Sequence, residues 1–135
     1  MIKRVDHIQM NVADVEASKN FYIDKLGFKL HSIIPGEGVF VVSGDVLIGF
    51  FDAADYAKAH GGQPAPLGIT HMGFEVDDVE KAQDEIASKG LEFRRKPTVN
   101  LMTGRMISSF KDPDGFMWQL SKQYQKGTVP IINKK

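Results

Sequence analysis

Two histidines, His7 and His71, stand at matching positions in two similar stretches of the chain, residues 6–18 and 70–82. The offset between the stretches is 71 − 7 = 64 residues. A single histidine on a strand is more often structural than a ligand, but a repeat-matched pair is equally consistent with two ligands. The repeat therefore indicates a duplicated architecture and a site to which both copies contribute one imidazole.

The elements that position these histidines are predicted in the same order in both copies. The run Val5–Val12 alternates apolar and polar residues, which is typical of a strand with one buried face. Asp14 and Asp78 are predicted helix N-caps, and Gly27 and Gly90 follow the helix ends. The predicted strands are Val5–Val12, Phe28–Ile33, Gly38–Val42, Val46–Phe51, Gly68–Val76, Leu91–Arg95, Arg105–Lys111 and Phe116–Ser121, and the helices are Val15–Leu26, Asp78–Lys89 and a short piece at Ala53–His60.

Composition excludes several classes of function. The 135 residues suit one domain, and 17 basic residues balance 17 acidic ones, so neither nucleic acid nor a membrane surface is an expected partner. Because cysteine is absent, disulfides, thiolate catalysis and zinc–thiolate sites are excluded. No signal peptide or anchor is expected at the start, and the predicted location is the cytoplasm.

Each copy also carries a polar strand face. One interpretation is that these side chains face water, as antiparallel sheets allow. The other is that two curled sheets turn them into the wall of a cavity, and the matched histidines favour this second interpretation. The side chains concerned are His7, Gln9 and Asn11 in the first copy, and His71 and Glu75 in the second, beside Gly73.

Four motifs in this order resemble the vicinal oxygen chelate superfamily, which includes glyoxalase I, extradiol dioxygenases, methylmalonyl-CoA epimerase, and fosfomycin- and bleomycin-resistance proteins. They are Asp6-His7-Ile8, the helix exit from Phe21-Tyr22 to Leu26-Gly27-Phe28, the run Thr70 to Asp78, and Phe110 to Gly115. The resemblance covers Val5 to Lys122.

The resemblance implies an α+β fold in which two βαβββ modules form a cupped eight-stranded mixed sheet, an open barrel with its helices outside. Residues 1–135 would form a single domain. Within it, module 1 spans 4–51, the joint 52–67, module 2 68–122 and the tail 123–135. The tail is expected to be loose or packed on a partner.

In this superfamily a divalent metal is held by residues of the first and last strands of each module. Carried over to this chain, the implied ligands of an Fe, Mn, Ni or Zn ion are His7, His71 and Gln119. The family usually has a carboxylate where Gln119 stands, and the amide is a weaker, neutral donor. Gly49 stands where module 1 would offer a further ligand, so glyoxalase I activity itself is not expected.

Other residues complete the predicted site. Glu75 lies on the His71 face and is the candidate catalytic base. The predicted substrate-binding residues are Gln9, Asn11, Phe50 and Arg105. For Arg105 the alternative is an ordinary surface arginine, and for Phe50 it is closure of the barrel end.

Two functions remain open at this point. The first, slightly favoured by the paired histidines, is a metal-dependent lyase, isomerase or dioxygenase that acts on a small oxygen-rich substrate. The second is a metal-free protein that sequesters a small molecule, as bleomycin-resistance proteins do, and it is favoured by Gln119 and Gly49. The resemblance also implies a homodimer, with each cup formed within one chain or by exchanged modules.

Overall fold

A computed structural model describes residues 1–59, 61–62 and 66–134. Its strands belong to an eight-stranded mixed sheet, which confirms the predicted α+β class. In chain order the elements are β1 (Ile2–Val12), α1 (Val15–Asn20) with a π-helical turn (Phe21–Lys25), β2 (Lys29–Ile34), β3 (Gly38–Ser43), β4 (Val46–Asp52), α2 (Ala53–Ala59), β5 (Gly68–Val76), α3 (Val79–Ala87), β6 (Thr98–Val99), β7 (Arg105–Lys111) and β8 (Met117–Gln123).

The chain divides into two compact units whose boundaries fall inside strands β1 and β5. The N-terminal unit contains His7–Thr70 and Val129–Lys135, and the C-terminal unit contains Met1–Asp6 and His71–Thr128. Each unit is described by itself.

In the N-terminal unit the strands are paired in the order β1, β4, β3 and β2. Strand β1 pairs in parallel with β4, β4 pairs antiparallel with β3, and β3 pairs antiparallel with β2. Helix α1 packs on β3 and β4. On this side of the sheet the ring of Tyr22 lies 4.8 Å from that of Phe50, which is fully buried. The buried apolar residues Val39 and Val41 complete this core.

The C-terminal unit has the same pattern around β5. Strand β5 pairs in parallel with β8, β8 pairs antiparallel with β7, and β7 pairs antiparallel with β6. Helix α3 packs on β7 and β8. Trp118 stacks on Phe74, with ring centroids 4.4 Å apart. The buried core of this unit consists of Val76, Val79, Ala82, Met106 and Leu120.

Both predicted helix caps are confirmed. The Asp14 carboxylate accepts from the Ala17 N–H at 3.0 Å, and Asp78 accepts from Lys81 at 2.9 Å. Each cap satisfies one of the N–H groups that the first helical turn leaves without a partner. Gly27 and Gly90 both have a positive φ, as helix-ending glycines commonly do.

We expect Asp14→Ala and Asp78→Ala each to lower the free energy of unfolding by about 1 kcal/mol, because each change leaves one N–H of the first helical turn without its hydrogen-bond acceptor. Urea denaturation measures the effect. Asp84→Ala, which removes the same charge from the interior of α3, is the matched control and should not destabilise. Equal losses from Asp78→Ala and Asp84→Ala would contradict the capping argument.

One predicted strand is wrong. Residues 91–95 have no strand structure, and the short strand β6 begins only at Thr98. Pro97 explains the delay, because it has no N–H to donate and restricts the residue before it. Phe93 still packs against the ring of Phe110, at 5.5 Å. The predicted helical piece Ala53–His60 is present as α2 to Ala59, and His60 lies outside the described residues.

Several residues of the tail are hydrogen-bonded to the rest of the chain within each unit. In the C-terminal unit the N–H groups of Tyr124 and Gln125 donate to the Gly104 carbonyl. In the N-terminal unit the Ile132 N–H donates to His31 O, and the Asn133 amide donates to Leu30 O. These bonds cover the free edge of β2, where the β2–β3 register shifts between Leu30 and Ser32. Within the described residues, the helices are too short or too polar to cross a bilayer.

Candidate functional site

The C-terminal unit presents a polar sheet face on the side away from its buried core. His71 and Gln119 lie on this face on adjacent strands, because the β5–β8 register pairs His71 with Met117 and Gly73 with Gln119. Side chains of register partners point to the same side of a sheet. His71 is buried at 5% exposure, and Gln119 is half-buried. Gly73, the register partner of Gln119, adds no side chain to this face.

Glu75, the predicted base, lies on the same face and is paired with a cation. Its Oε2 is 2.5 Å from Nη2 of Arg4, which comes from the first half of β1. The Glu75 side chain is 26% exposed. One oxygen of the predicted base is therefore already engaged by an arginine of its own unit.

A buried ion pair lies beside it. The Arg105 guanidinium donates through Nη2 to Oδ2 of Asp6, whose residue is only 1% exposed. The same group donates to Oγ of Ser121, at 2.6 Å from Nη2 and 3.1 Å from Nε. Arg105 was predicted to bind substrate, and the structure shows its guanidinium engaged by these two residues of its own unit.

A third ion pair lies at the surface of this unit. Lys3 Nζ is 2.9 Å from Oδ1 of Asp77. The hydrogen bond and charge of Lys3 hold the pKa of the Asp77 carboxyl below its ordinary value, and Asp77 raises the pKa of Lys3. Because both groups are exposed to solvent, this pair adds little to stability. Three ion pairs thus link the first half of β1 to other residues of its unit.

The N-terminal unit has a polar face of its own, which carries three predicted site residues from β1. His7, Gln9 and Asn11 are the register partners of Leu47, Gly49 and Phe51 on β4. His7 is 6% exposed and Asn11 is 1% exposed, while Gln9 is half-buried. The carbonyl of Gln9 accepts a hydrogen bond from the Thr70 hydroxyl at 3.2 Å. Because His7 and Asn11 are buried, this face does not simply point into water.

Phe40 closes the position where the superfamily resemblance would place another ligand. Phe40 is the register partner of Gly49, and a Cβ built on Gly49 would lie 2.5 Å from a carbon of the Phe40 ring. That is far inside van der Waals contact. Position 49 therefore supplies no side-chain ligand to a metal, and the ring of Phe40 fills the space that a side chain there would need.

The two neighbouring phenylalanines of β4 face opposite sides of the sheet. Phe50, the predicted substrate contact, is fully buried against Tyr22 on the helix side. Phe51, beside Asn11 in register, is the one on the polar face. Its ring lies 5.9 Å from that of Phe40 in an edge-on arrangement. Strand alternation was the signal that assigns Phe51 rather than Phe50 to this face.

These donors do not fit a carboxylate-bearing metal centre. Position 119 offers an amide, position 49 is closed by Phe40, and Glu75 is paired with Arg4. Among the described residues, no three His, Asp or Glu side chains gather as a possible metal site. Two imidazoles and an amide would supply only neutral donors, whereas the facial triad of iron oxygenases includes an anion.

Sequence reasoning missed the residues that pair with the predicted ones. Asp6, Arg4 and Ser121 were not among the predicted site residues, although Asp6 is next to His7 in the chain. Phe40 was missed as well, since its place over Gly49 depends on the β3–β4 register. A long-range pairing of this kind leaves no local signature in one sequence.

The comparisons with known proteins identify the family. The model of the Glyoxalase/Bleomycin resistance protein/Dioxygenase superfamily matches residues 4–120. The chain belongs to this superfamily. The match confirms the resemblance drawn from the motifs, and membership shows neither a substrate nor a reaction.

Three relatives illustrate the range of the superfamily. The uncharacterized protein YaeR of Escherichia coli (strain K12) is 30% identical, and the match covers 90% of this chain and 98% of YaeR. Methylmalonyl-CoA epimerase from Mycobacterium tuberculosis has a TM-score of 0.73 at 17% identity, covering 92% of this chain and 90% of that one. The Mn(II)-bound glyoxalase from Novosphingobium aromaticivorans has a TM-score of 0.69 at 20% identity, covering 91% and 38%. At these identities the two structures show the fold alone.

Proposed function

We propose that this protein binds a small, oxygen-rich molecule through neutral polar side chains, without a resident metal. The observation that carries the proposal is the state of the acidic groups on the polar face of the C-terminal unit. Glu75 is paired with Arg4, Asp6 is paired with Arg105, and position 119 holds an amide. The superfamily resemblance implies a carboxylate among the ligands of a divalent cation, and both carboxylates on the described polar faces are paired with arginines.

The proposed ligand contacts are the polar side chains of the two faces. In the N-terminal unit these are His7, Gln9 and Asn11, and in the C-terminal unit His71 and Gln119. Imidazole and amide groups both donate and accept hydrogen bonds, so together they suit a neutral ligand rich in oxygen. Binding sites of this kind combine an apolar surface with few polar anchors, and Phe40 and Phe51 supply the apolar part.

A second candidate is a metal-dependent lyase, isomerase or dioxygenase with an Fe, Mn, Ni or Zn ion on His7, His71 and Gln119. The burial of both histidines, 6% and 5% exposed at matched positions of β1 and β5, favours it. Glu75 would be its base. The existence of enzymes among the relatives is consistent with this candidate.

Metal analysis separates the two. The protein as purified, and after incubation with Mn²⁺, Ni²⁺ or Zn²⁺ followed by desalting, would be compared with a His7→Ala/His71→Ala variant by plasma mass spectrometry. We expect less than stoichiometric metal in both proteins. Stoichiometric metal that the double substitution abolishes would overturn the metal-free proposal in favour of the enzyme. Circular dichroism of the variant checks that the fold is retained.

We also propose a cytoplasmic homodimer, as the superfamily resemblance implies. Light scattering coupled to size exclusion measures the mass in solution, where a dimer is twice the 15.0 kDa chain. A monomeric mass at micromolar concentration would contradict this.

A further inference from the structure

The Asn11 side chain is buried without a hydrogen-bond partner. The residue is 1% exposed, and among the described residues neither its Oδ1 nor its Nδ2 has a partner. Buried amides are almost always hydrogen-bonded, and each unmade bond costs stability. A leucine of nearly the same shape would avoid this cost. The amide at this position therefore points to a partner that the described part of the chain does not supply.

Two phenyl rings cover the sheet next to this amide. Phe51 is the register partner of Asn11, and its ring meets that of Phe40 edge-on. Two glycines make room for them. A Cβ on Gly49 would lie 2.5 Å from Phe40, and one on Gly38 would meet the Phe50 carbonyl oxygen and lie 3.1 Å from the ring of Phe51. Among the described residues, the Asn11 amide thus has no hydrogen-bond partner and lies beside an aromatic surface of the same unit, whose two rings are only half-buried.

We propose that Asn11, Phe40 and Phe51 form a subsite for a neutral, planar group that presents a hydrogen-bond donor and an acceptor along one edge. An aromatic carboxamide has this chemistry. The proposal rests on the proposed function, since it names the class of ligand that the binding face takes.

Three physical arguments select this class. A side-chain amide offers both donors and an acceptor, so a second amide satisfies Oδ1 and Nδ2 together. A charged ligand group would be desolvated here against a neutral partner, which is unfavourable. Aromatic rings pack on one another offset or edge-on, as Phe40 and Phe51 already do. Because the amide atoms are enclosed, a ligand reaches them only after a local side-chain movement.

Benzamide is the probe that tests the subsite. In a ¹⁵N-labelled protein, benzamide at millimolar concentration should shift the side-chain NH₂ signals of Asn11, and the dissociation constant follows from the titration. Benzoate, which has the same ring with a charge in place of the amide, should bind at least tenfold more weakly. An equal affinity for benzoate would overturn the assignment to a neutral group.

Two variants control the experiment. Asn11→Leu should weaken benzamide binding at least tenfold and leave the melting temperature equal or higher. Ser108→Ala removes a buried hydroxyl of the C-terminal unit that also has no hydrogen-bond partner among the described residues, and it should leave benzamide binding unchanged. The proposal is overturned if benzamide leaves the Asn11 signals in place, or if Asn11→Leu lowers the melting temperature markedly, since the amide would then have a structural role. Neither readout depends on metal content, so this inference can fail while the metal-free proposal stands.

Discussion

Gln119→Glu is expected to raise the affinity of this protein for Mn²⁺ or Ni²⁺ by about 10- to 100-fold, a gain of about 1.4–2.8 kcal/mol. The change introduces a carboxylate on the polar face of the C-terminal unit. Position 119 is the register partner of Gly73, two residues along β5 from His71. A carboxylate attracts a dication far more strongly than an amide does, and part of that attraction is offset by its own desolvation. Isothermal titration calorimetry measures the difference.

Ser109→Glu is the matched control for that experiment. Ser109 is the register partner of Gln119 on β7, so this variant places the same charge on the same face one strand away. Its metal affinity should stay near that of the parent protein, and adding His71→Ala to Gln119→Glu should remove the gain. If Ser109→Glu is as effective as Gln119→Glu, the effect is one of general charge, and position 119 is not a ligand position.

The local features of the fold were predictable from the sequence. Strand β5 has the predicted bounds Gly68–Val76, and both helix caps are formed by the predicted aspartates. These features depend on residues a few positions apart, so periodicity and cap chemistry are sufficient to find them. The π-helical turn at Phe21–Lys25 within the predicted first helix, by contrast, has no signal in residue type alone.

The polar strand faces could be predicted from the sequence, whereas the contacts of their side chains could not. His7 and His71 were found from the repeat, and their burial agrees with a role beyond the solvated surface. The partners of Arg105 and the ring over Gly49 depend on register and on residues up to 99 positions apart. Such contacts are set by tertiary packing, which one sequence does not encode as a pattern.

Arg105→Met is expected to lower the free energy of unfolding by about 3–5 kcal/mol, since it leaves the Asp6 carboxylate buried and unpaired. Asp6 is 1% exposed and accepts from Arg105, so water cannot replace the lost partner without a local opening. The double variant Asp6→Leu/Arg105→Met should recover most of this loss, because it buries no charge. Denaturation by urea, with circular dichroism as the signal, measures all three proteins.

Comparison of the single and double variants distinguishes two roles for Arg105, pairing with the buried Asp6 carboxylate or binding a ligand. If the guanidinium serves the buried pair, the single variant is destabilised and the double variant is not. An arginine that served a ligand instead would leave stability within about 0.5 kcal/mol of the parent when replaced, as surface substitutions usually do. Since Asp6 adjoins His7 in β1, loosening this pair frees the strand at the point where it passes from one unit to the other. The single variant should therefore also show faster amide exchange at His7 than the double variant does.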